Sequence, residues 1–161
     1  MYSPQKMGKA TIFESPRLLV GLNAFEPGQE HALHAQCGGG PNLKRAHQLA
    51  ERVMHAPPFA PFFENWPGPW EFANAETTAD RLRRAGFVDV DTNLEEAPTT
   101  LATEEDYREF VTTVIYHAHL ERLPSATLKQ AFLDRVTDLS SREDPPFTLD
   151  YWRLNMSATK S

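Results

Sequence analysis

The stretch Leu82-Arg83-Arg84-Ala85-Gly86-Phe87-Val88-Asp89-Val90 contains a change from helix to strand that sets the fold class. A helix is predicted to begin after Asn74, a residue type that caps helix N-termini, and to run through Leu82. It ends at Gly86, because glycine tolerates the left-handed backbone that closes many helices. Phe87 to Val90 then predicts a strand. Helices that alternate with strands are typical of α/β proteins.

Three more helices and a terminal strand are predicted within residues 37–161. One helix follows the glycine run at residues 38–40, one begins at Thr103 with capping-box spacing, and one begins at Ser125. Phe147 to Ala158 predicts a long terminal strand. The apolar faces of the three helices are formed by Leu43, Ala46, Ala50 and Met54; by Tyr107, Phe110, Val111, Val114 and Ala118; and by Leu128, Ala131, Phe132, Val136 and Leu139.

The first 36 residues differ in character from the rest of the chain. Turn signals at Ser15-Pro16 and Pro27-Gly28 separate short apolar stretches, which predicts a β segment with a hairpin. We therefore divide the chain into a β segment over residues 1–36 and an α/β region over residues 37–161.

Composition excludes several classes of protein. The chain has 161 residues, room for one ordinary domain, and a formal net charge of −6. An acidic chain without a basic stripe does not fit a nucleic-acid-binding protein. No apolar run is long enough to span a membrane, and the N-terminus has no signal-peptide pattern. With Cys37 as its single cysteine, the chain is expected to be cytoplasmic.

Five separated blocks in residues 35–159 resemble class I S-adenosylmethionine-dependent methyltransferases. The closest subgroup is similar to trans-aconitate methyltransferase, and the resemblance is to the C-terminal half. The blocks are Gln36-Cys37-Gly38-Gly39-Gly40-Pro41-Asn42-Leu43, Pro57-Pro58-Phe59-Ala60-Pro61, Trp66-Pro67-Gly68-Pro69-Trp70-Glu71-Phe72, Leu82-Arg83-Arg84-Ala85-Gly86-Phe87 and Pro146-Phe147-Thr148-Leu149-Asp150-Tyr151-Trp152-Arg153-Leu154.

The resemblance implies an α/β fold with an incomplete Rossmann-like methyltransferase sheet. We expect a small mixed sheet with helices and an N-terminal extension like a β-hairpin. In the family the last strand runs antiparallel between the fifth and sixth strands. Here Phe147–Ala158 should therefore pair with Phe87–Asn93, while Glu30–Gln36 takes the place of the fifth strand.

The resemblance also implies S-adenosylmethionine as the family's cofactor and small carboxylic acids or similar metabolites as the substrates of relatives. The sequence has neither a Gly-x-Gly-x-Gly turn after a strand nor an acidic residue about 20 positions beyond one. Cofactor binding by this chain is therefore not expected, and we expect it to be inactive alone. The catalytic residues stay unknown.

Aromatic residues and one arginine are the candidates for contact with a substrate. The segment from residue 56 to 69 contains five prolines and cannot be regular, and a stiff aromatic segment suits the wall of a pocket. Packing on the sheet is the favoured alternative for the aromatic residues, and a local salt bridge is the alternative for the arginine. The candidates are Trp66, Trp70, Phe72, Tyr116, Arg122 and Trp152.

Two histidines late on the helix after Thr103 need separate treatment. His117 and His119 are two residues apart, so they point to different faces of a helix and cannot chelate one metal together. We expect one to lie at the surface and the other to be packed.

The start of the chain resembles a small cupin. Gly8 to Leu18 and Glu26 to Ala35 carry the resemblance, and Gly28 precedes His34 at the cupin spacing. Cupins bind a metal through several histidines and a glutamate, but here the second histidine position holds Gln36. His34 is therefore the single candidate metal ligand, and a divalent metal is expected only under this alternative.

Three functions stay open on the sequence. The first is a partial methyltransferase with a small-molecule substrate in its relatives, and the second is a truncated cupin-like metal-binding module. The third is a non-catalytic domain that associates with itself through an uncovered sheet edge, since exposed edges and apolar faces promote association.

Overall fold

The computed structural model describes residues 31–160. Residues 1–30 of the predicted β segment, and with them most of the cupin-like match, therefore lie outside the described residues. The described elements, in chain order, are β1 (His31–Gly38), α1 (Lys44–Met54), a 3₁₀ turn (Ala60–Phe62), α2 (Ala75–Arg84), β2 (Phe87–Glu96), β3 (Thr99–Thr100), α3 (Glu104–Phe110), a π turn (Val111–Ile115), α4 (His117–Glu121), α5 (Ala126–Ser141), β4 (Thr148–Leu149) and β5 (Trp152–Lys160).

These elements form two compact units. The first, which we call the sheet unit, contains the described residues 31–40, 71–95 and 152–160. The second, which we call the helical unit, contains residues 41–70 and 96–151. β1 spans residues on both sides of the predicted boundary at residue 36, and that boundary stays a prediction.

The sheet unit is built around β5, which lies between β1 and β2. β1 and β5 are antiparallel, with His31 opposite Lys160 and Gly38 opposite Arg153. The predicted pairing of the terminal strand with the strand that begins at Phe87 is therefore confirmed.

The expectation of a mixed sheet is wrong, because β2 also runs antiparallel to β5. Asn155 donates to the side chain of Asn93 at 3.1 Å, while the Lys160 ammonium lies 5.0 Å from the ring centroid of Phe87. The later residue of β5 thus meets the earlier residue of β2. A central strand that reverses direction between two neighbours makes both pairings antiparallel.

One face of the sheet is apolar and the other is polar. Leu154, Met156 and Ala158 are buried and alternate along β5, as side chains on one face of a strand do. Thr78 and Leu82 of α2 share a cavity of about 390 Å³ with Leu154 and Met156, so α2 lies over this apolar face.

The prediction of α2 from its caps is confirmed. Asn74 precedes the helix, and its side-chain oxygen accepts a hydrogen bond from the Thr77 amide at 2.7 Å. Gly86 follows the helix with a φ of 83°, in the left-handed region that glycine adopts without strain. Both ends of α2 are therefore set by local sequence.

The helical unit has one core, to which its helices and the aromatic segment after α1 contribute. Its fully buried members include Phe59, Tyr107, Val111, Tyr116 and Phe132. Thr103 and Ser125 cap α3 and α5, since their hydroxyls accept hydrogen bonds from the Asp106 amide at 3.1 Å and the Leu128 amide at 3.2 Å. The helix starts predicted from these two caps are confirmed.

The continuous helix predicted after Thr103 is wrong, because a π turn interrupts it at Val111–Ile115. The Tyr116 amide donates to the Val111 carbonyl at 2.7 Å, five residues back. The hydroxyl of Thr112 donates to the carbonyl of Arg108 at 2.6 Å. Such threonine side chains compete for helix carbonyls and bend helices. α4 therefore starts again at His117 with a shifted phase.

The single terminal strand predicted from Phe147 is also wrong, because it is divided into β4 and β5. Asp150 lies at the division and binds the start of α1. Its carbonyl accepts from the Leu43 amide at 3.0 Å, and its carboxylate accepts from the Arg45 amide at 3.1 Å. α1 has no cap from its own Leu43, so this carboxylate supplies one from a distant segment.

Candidate substrate cavity

A cavity of about 230 Å³ lies within the helical unit. α1 forms one wall, the proline-rich segment from residue 66 to 70 forms another, and α4 contributes the buried imidazole of His119. The side chains that matter for its chemistry are those of His47, Glu51, His55, Trp66, Trp70 and His119.

The α1 wall is polar because three lining residues share one helical face. His47, Glu51 and His55 follow at intervals of four, which places them one turn apart on the same side. The other side of α1 is buried in the core through Ala46 and Ala50. α1 therefore binds the core with one face and presents titratable groups to the cavity with another.

His119 is packed among aromatic rings. Its side chain is 3 % exposed, and its ring centroid lies 4.7 Å from that of Trp66 in an edge-to-face arrangement. The rings of Tyr116 and Phe132 lie 5.3 and 5.9 Å from it. Within residues 31–160, Nδ1 of His119 is buried and has no hydrogen-bond partner.

Burial favours the uncharged imidazoles of His47 and His119. Burial first, and then the nearby charge of His47 when it is protonated, together lower the pKa of His119 from 6.5 to about 3. Burial also lowers the pKa of His47, while the carboxylates of Asp150 and Glu51 raise it. Charged imidazoles lose hydration in such surroundings, so the neutral forms dominate near pH 7.

Tyr116 lies behind the cavity rather than on its surface. Its side chain is fully buried, and its hydroxyl donates to the Ala46 carbonyl at 2.9 Å. Burial raises the pKa of Tyr116 well above its usual value, so the phenol stays protonated. Tyr116 holds α1 in place against α4.

Arg122 borders the aromatic wall from outside. Its guanidinium carbon lies 5.3 Å from the centroid of the Trp66 ring, and its Nε donates to the Phe62 carbonyl at 2.9 Å. A cation over an indole face is favourable. Arg122 therefore stabilises the segment that carries Trp66.

The other predicted site residues lie in the sheet unit. Phe72 and Trp152 are half-buried there. His34 is exposed on the polar face of β1, opposite Ser157. Among residues 31–160, no group of three or more His, Cys, Asp or Glu side chains is placed to hold a metal ion.

His117 and His119 behave as predicted from their spacing. His117 is exposed and pairs with Glu121 at 3.1 Å, whereas His119 is packed. The sequence interpretation did not include His47, Glu51 and His55 in the site. Their four-residue spacing on one face of α1 is the signal that was available.

The glycine run at residues 38–40 does not form a cradle for a nucleotide. The Gly39 amide donates to the Trp152 carbonyl at 3.2 Å, and the Gly40 amide donates to the Ala73 carbonyl at 2.9 Å. A side chain at Gly39 would meet Leu154, so this glycine serves close packing. The amides of Gly39 and Gly40 are therefore already used within the sheet unit.

Comparisons with known proteins give no identity. No family model matches the chain, and no curated protein matches it. None of the described helices has the length and apolar character needed to cross a membrane.

Acidification is expected to destabilise the protein through His119. Because its folded-state pKa is about 3 against 6.5, the unfolded chain binds a proton that the folded chain does not between these values. The stability present above pH 6.5 is therefore lost as the pH falls towards 3. Wild-type unfolding free energy should fall more steeply than that of His119→Phe, by up to about 1.4 kcal/mol per pH unit.

The measurement is urea unfolding at several pH values. Leu120→Ala is the control, because it removes a buried side chain beside His119 without removing the imidazole. It should lower stability equally at every pH. Equal pH slopes for wild type and His119→Phe would contradict the assignment.

Proposed function

We propose that this chain forms the substrate side of a class I S-adenosylmethionine-dependent methyltransferase. The observation that carries the proposal is the strand order β1-β5-β2, with β5 antiparallel between its neighbours. The resemblance predicts this order for the last three strands of the family. An antiparallel last strand inserted between two earlier strands is a specific feature of sheet topology, so it supports the proposal more than composition does.

The cavity of the helical unit supplies the acceptor site in this proposal. Trp66 and Trp70 give flat walls that hold a small molecule and keep water away from it. Methyl transfer depends on holding the acceptor in line with the donor, and the protein does little bond-making of its own. Rigid aromatic walls suit that task.

The methyl donor would be bound elsewhere. S-adenosylmethionine supplies the methyl group when it is bound, but the amides of Gly39 and Gly40 are already used within the sheet unit. A cofactor-binding half is therefore required from a further segment or from another chain. This 161-residue chain is expected to lack methyltransferase activity when it is alone.

Calorimetry with S-adenosylmethionine tests that expectation on the purified chain. We expect no heat of binding up to millimolar cofactor, with an intact class I methyltransferase as the positive control. Micromolar binding by the chain alone would overturn the assignment of the cofactor site to another segment.

Light scattering on the same sample measures the oligomeric state, which tests self-association through the sheet edge.

A further inference from the structure

The charged groups that line the cavity of the helical unit do not favour the carboxylic acids that the resemblance implies as substrates of relatives. Relatives methylate carboxylic acids, and a carboxylate ligand needs a cationic partner. Among the described lining residues there is no lysine or arginine. The buried imidazole of His119 is neutral near pH 7, so it offers no positive charge either.

The negative side chains near α1 favour a cation instead. Glu51 lines the cavity and is exposed, which places a carboxylate where a ligand enters. Asp150 and Glu51 both act on His47 as negative charges. Glu51 is the one carboxylate among the described lining residues of this wall.

The opposite wall suits a flat ring, because Phe63, Trp66 and Trp70 all line the cavity there. A volume of about 230 Å³ is below the range of about 300–1,000 Å³ that holds drug-sized ligands. The cavity therefore suits one ring with a short chain.

His119 adds a buried imidazole to the aromatic lining of the cavity. Its Nδ1 has no hydrogen-bond partner among residues 31–160, and the residue is only 3 % exposed. Buried polar atoms normally have partners, so this end of the lining is polar as well as aromatic.

We propose that the cavity binds a small arylalkylamine, with its ring against the aromatic lining of Phe63, Trp66 and Trp70 and its ammonium group at Glu51. The inference rests on the proposed function only for the role of the ligand as methyl acceptor, in which the nitrogen would first release its proton to solvent, because an ammonium has no lone pair that could take the methyl group. The binding itself requires no cofactor and is measured without one.

Three probes that share a phenyl ring and a two-carbon chain, but differ in charge, separate the effect of charge from the effect of shape. They are phenethylamine, 2-phenylethanol and phenylacetate, titrated into the full chain at pH 7.5. The indole N–H signals of a ¹⁵N-labelled sample give the readout, because the chain has three tryptophans and two line the cavity. Trp→Phe variants assign the three signals.

We expect phenethylamine to shift the signals of Trp66 and Trp70 with a dissociation constant below about 1 mM, and to leave Trp152 unchanged. 2-Phenylethanol should bind about tenfold more weakly, and phenylacetate more weakly still. Phenylacetate binding as tightly as the amine would overturn the proposal. So would the absence of binding by all three probes, or a response of Trp152 alone.

Glu51→Gln tests the position of the ammonium group. Because Glu51 is exposed, the variant is expected to fold, and it should weaken phenethylamine binding about tenfold while leaving 2-phenylethanol unchanged. Glu109→Gln, an exposed carboxylate on α3, is the matched control and should leave both affinities unchanged. Equal losses for amine and alcohol in Glu51→Gln would contradict the assignment. If these titrations failed, the amine-binding proposal would be overturned. The methyltransferase proposal would still be tested separately by the cofactor experiments.

Discussion

Replacing Phe132 with alanine is expected to lower the free energy of unfolding by about 3–5 kcal/mol. The side chain is fully buried on α5, and the rings of Phe59 and Tyr116 meet it edge to face at 5.6 and 5.8 Å. Phe63 and His119 both lie at 5.9 Å. The truncation loses these contacts and leaves a void that close neighbours fill only in part. Urea unfolding followed by circular dichroism measures the change.

Two variants control for the loss of Phe132. Phe132→Leu keeps most of the volume and should cost less than half as much as the alanine variant. Val114→Ala removes a side chain that is 47 % exposed on the π turn and should change stability by about 0.5 kcal/mol or less. A loss below about 1 kcal/mol in Phe132→Ala would contradict the packing of the helical unit.

Gly39→Ala is expected to destabilise the sheet unit by about 3 kcal/mol. An added Cβ would lie 2.5 Å from the Cβ of Leu154 and 3.0 Å from the carbonyl oxygen of Ala73. Neither atom is the end of a flexible side chain, so strand or loop backbone must move. Thermal and urea unfolding both measure the loss.

Gly68→Ala provides the matched control for Gly39→Ala. It makes the same chemical change at a position where an added Cβ meets nothing within 4 Å. Its φ of 87° carries a backbone cost of about 1 kcal/mol. If Gly39→Ala cost no more than Gly68→Ala, the close approach of Gly39 to β5 would be wrong.

The helices were predictable where a local signal sets their ends. Asn74, Thr103 and Ser125 cap α2, α3 and α5 as their residue types indicate. The π turn was not predictable in this way, because Val111 and Val114 continue the helical apolar spacing. The division of the terminal strand depends on the hydrogen bonds of Asp150 to α1, and such a distant partner leaves no pattern in the sequence.

The candidate site was also predictable only in part, because the positions of some of its residues depend on structure that leaves no local pattern in the sequence. Trp66 and Trp70 stand out by composition, and both line the cavity. His119 lines it because the π turn shifts the phase of α4, which the sequence does not show. The carboxylate of Glu51 lines the cavity from α1. The sequence prediction for this helix used only its apolar face, so it did not include Glu51.

Complementation tests the proposed function most directly. Residues 31–160 are fused after the cofactor-binding half of a class I methyltransferase that has been truncated before its fifth strand. Calorimetry then compares S-adenosylmethionine binding by the fusion, by the truncated half alone, and by a fusion that carries Leu154→Asp in the buried face of β5. If residues 31–160 supply the missing strands, the fusion binds at least about tenfold more tightly than either control. A folded fusion that binds no more tightly than the truncated half would contradict the proposal.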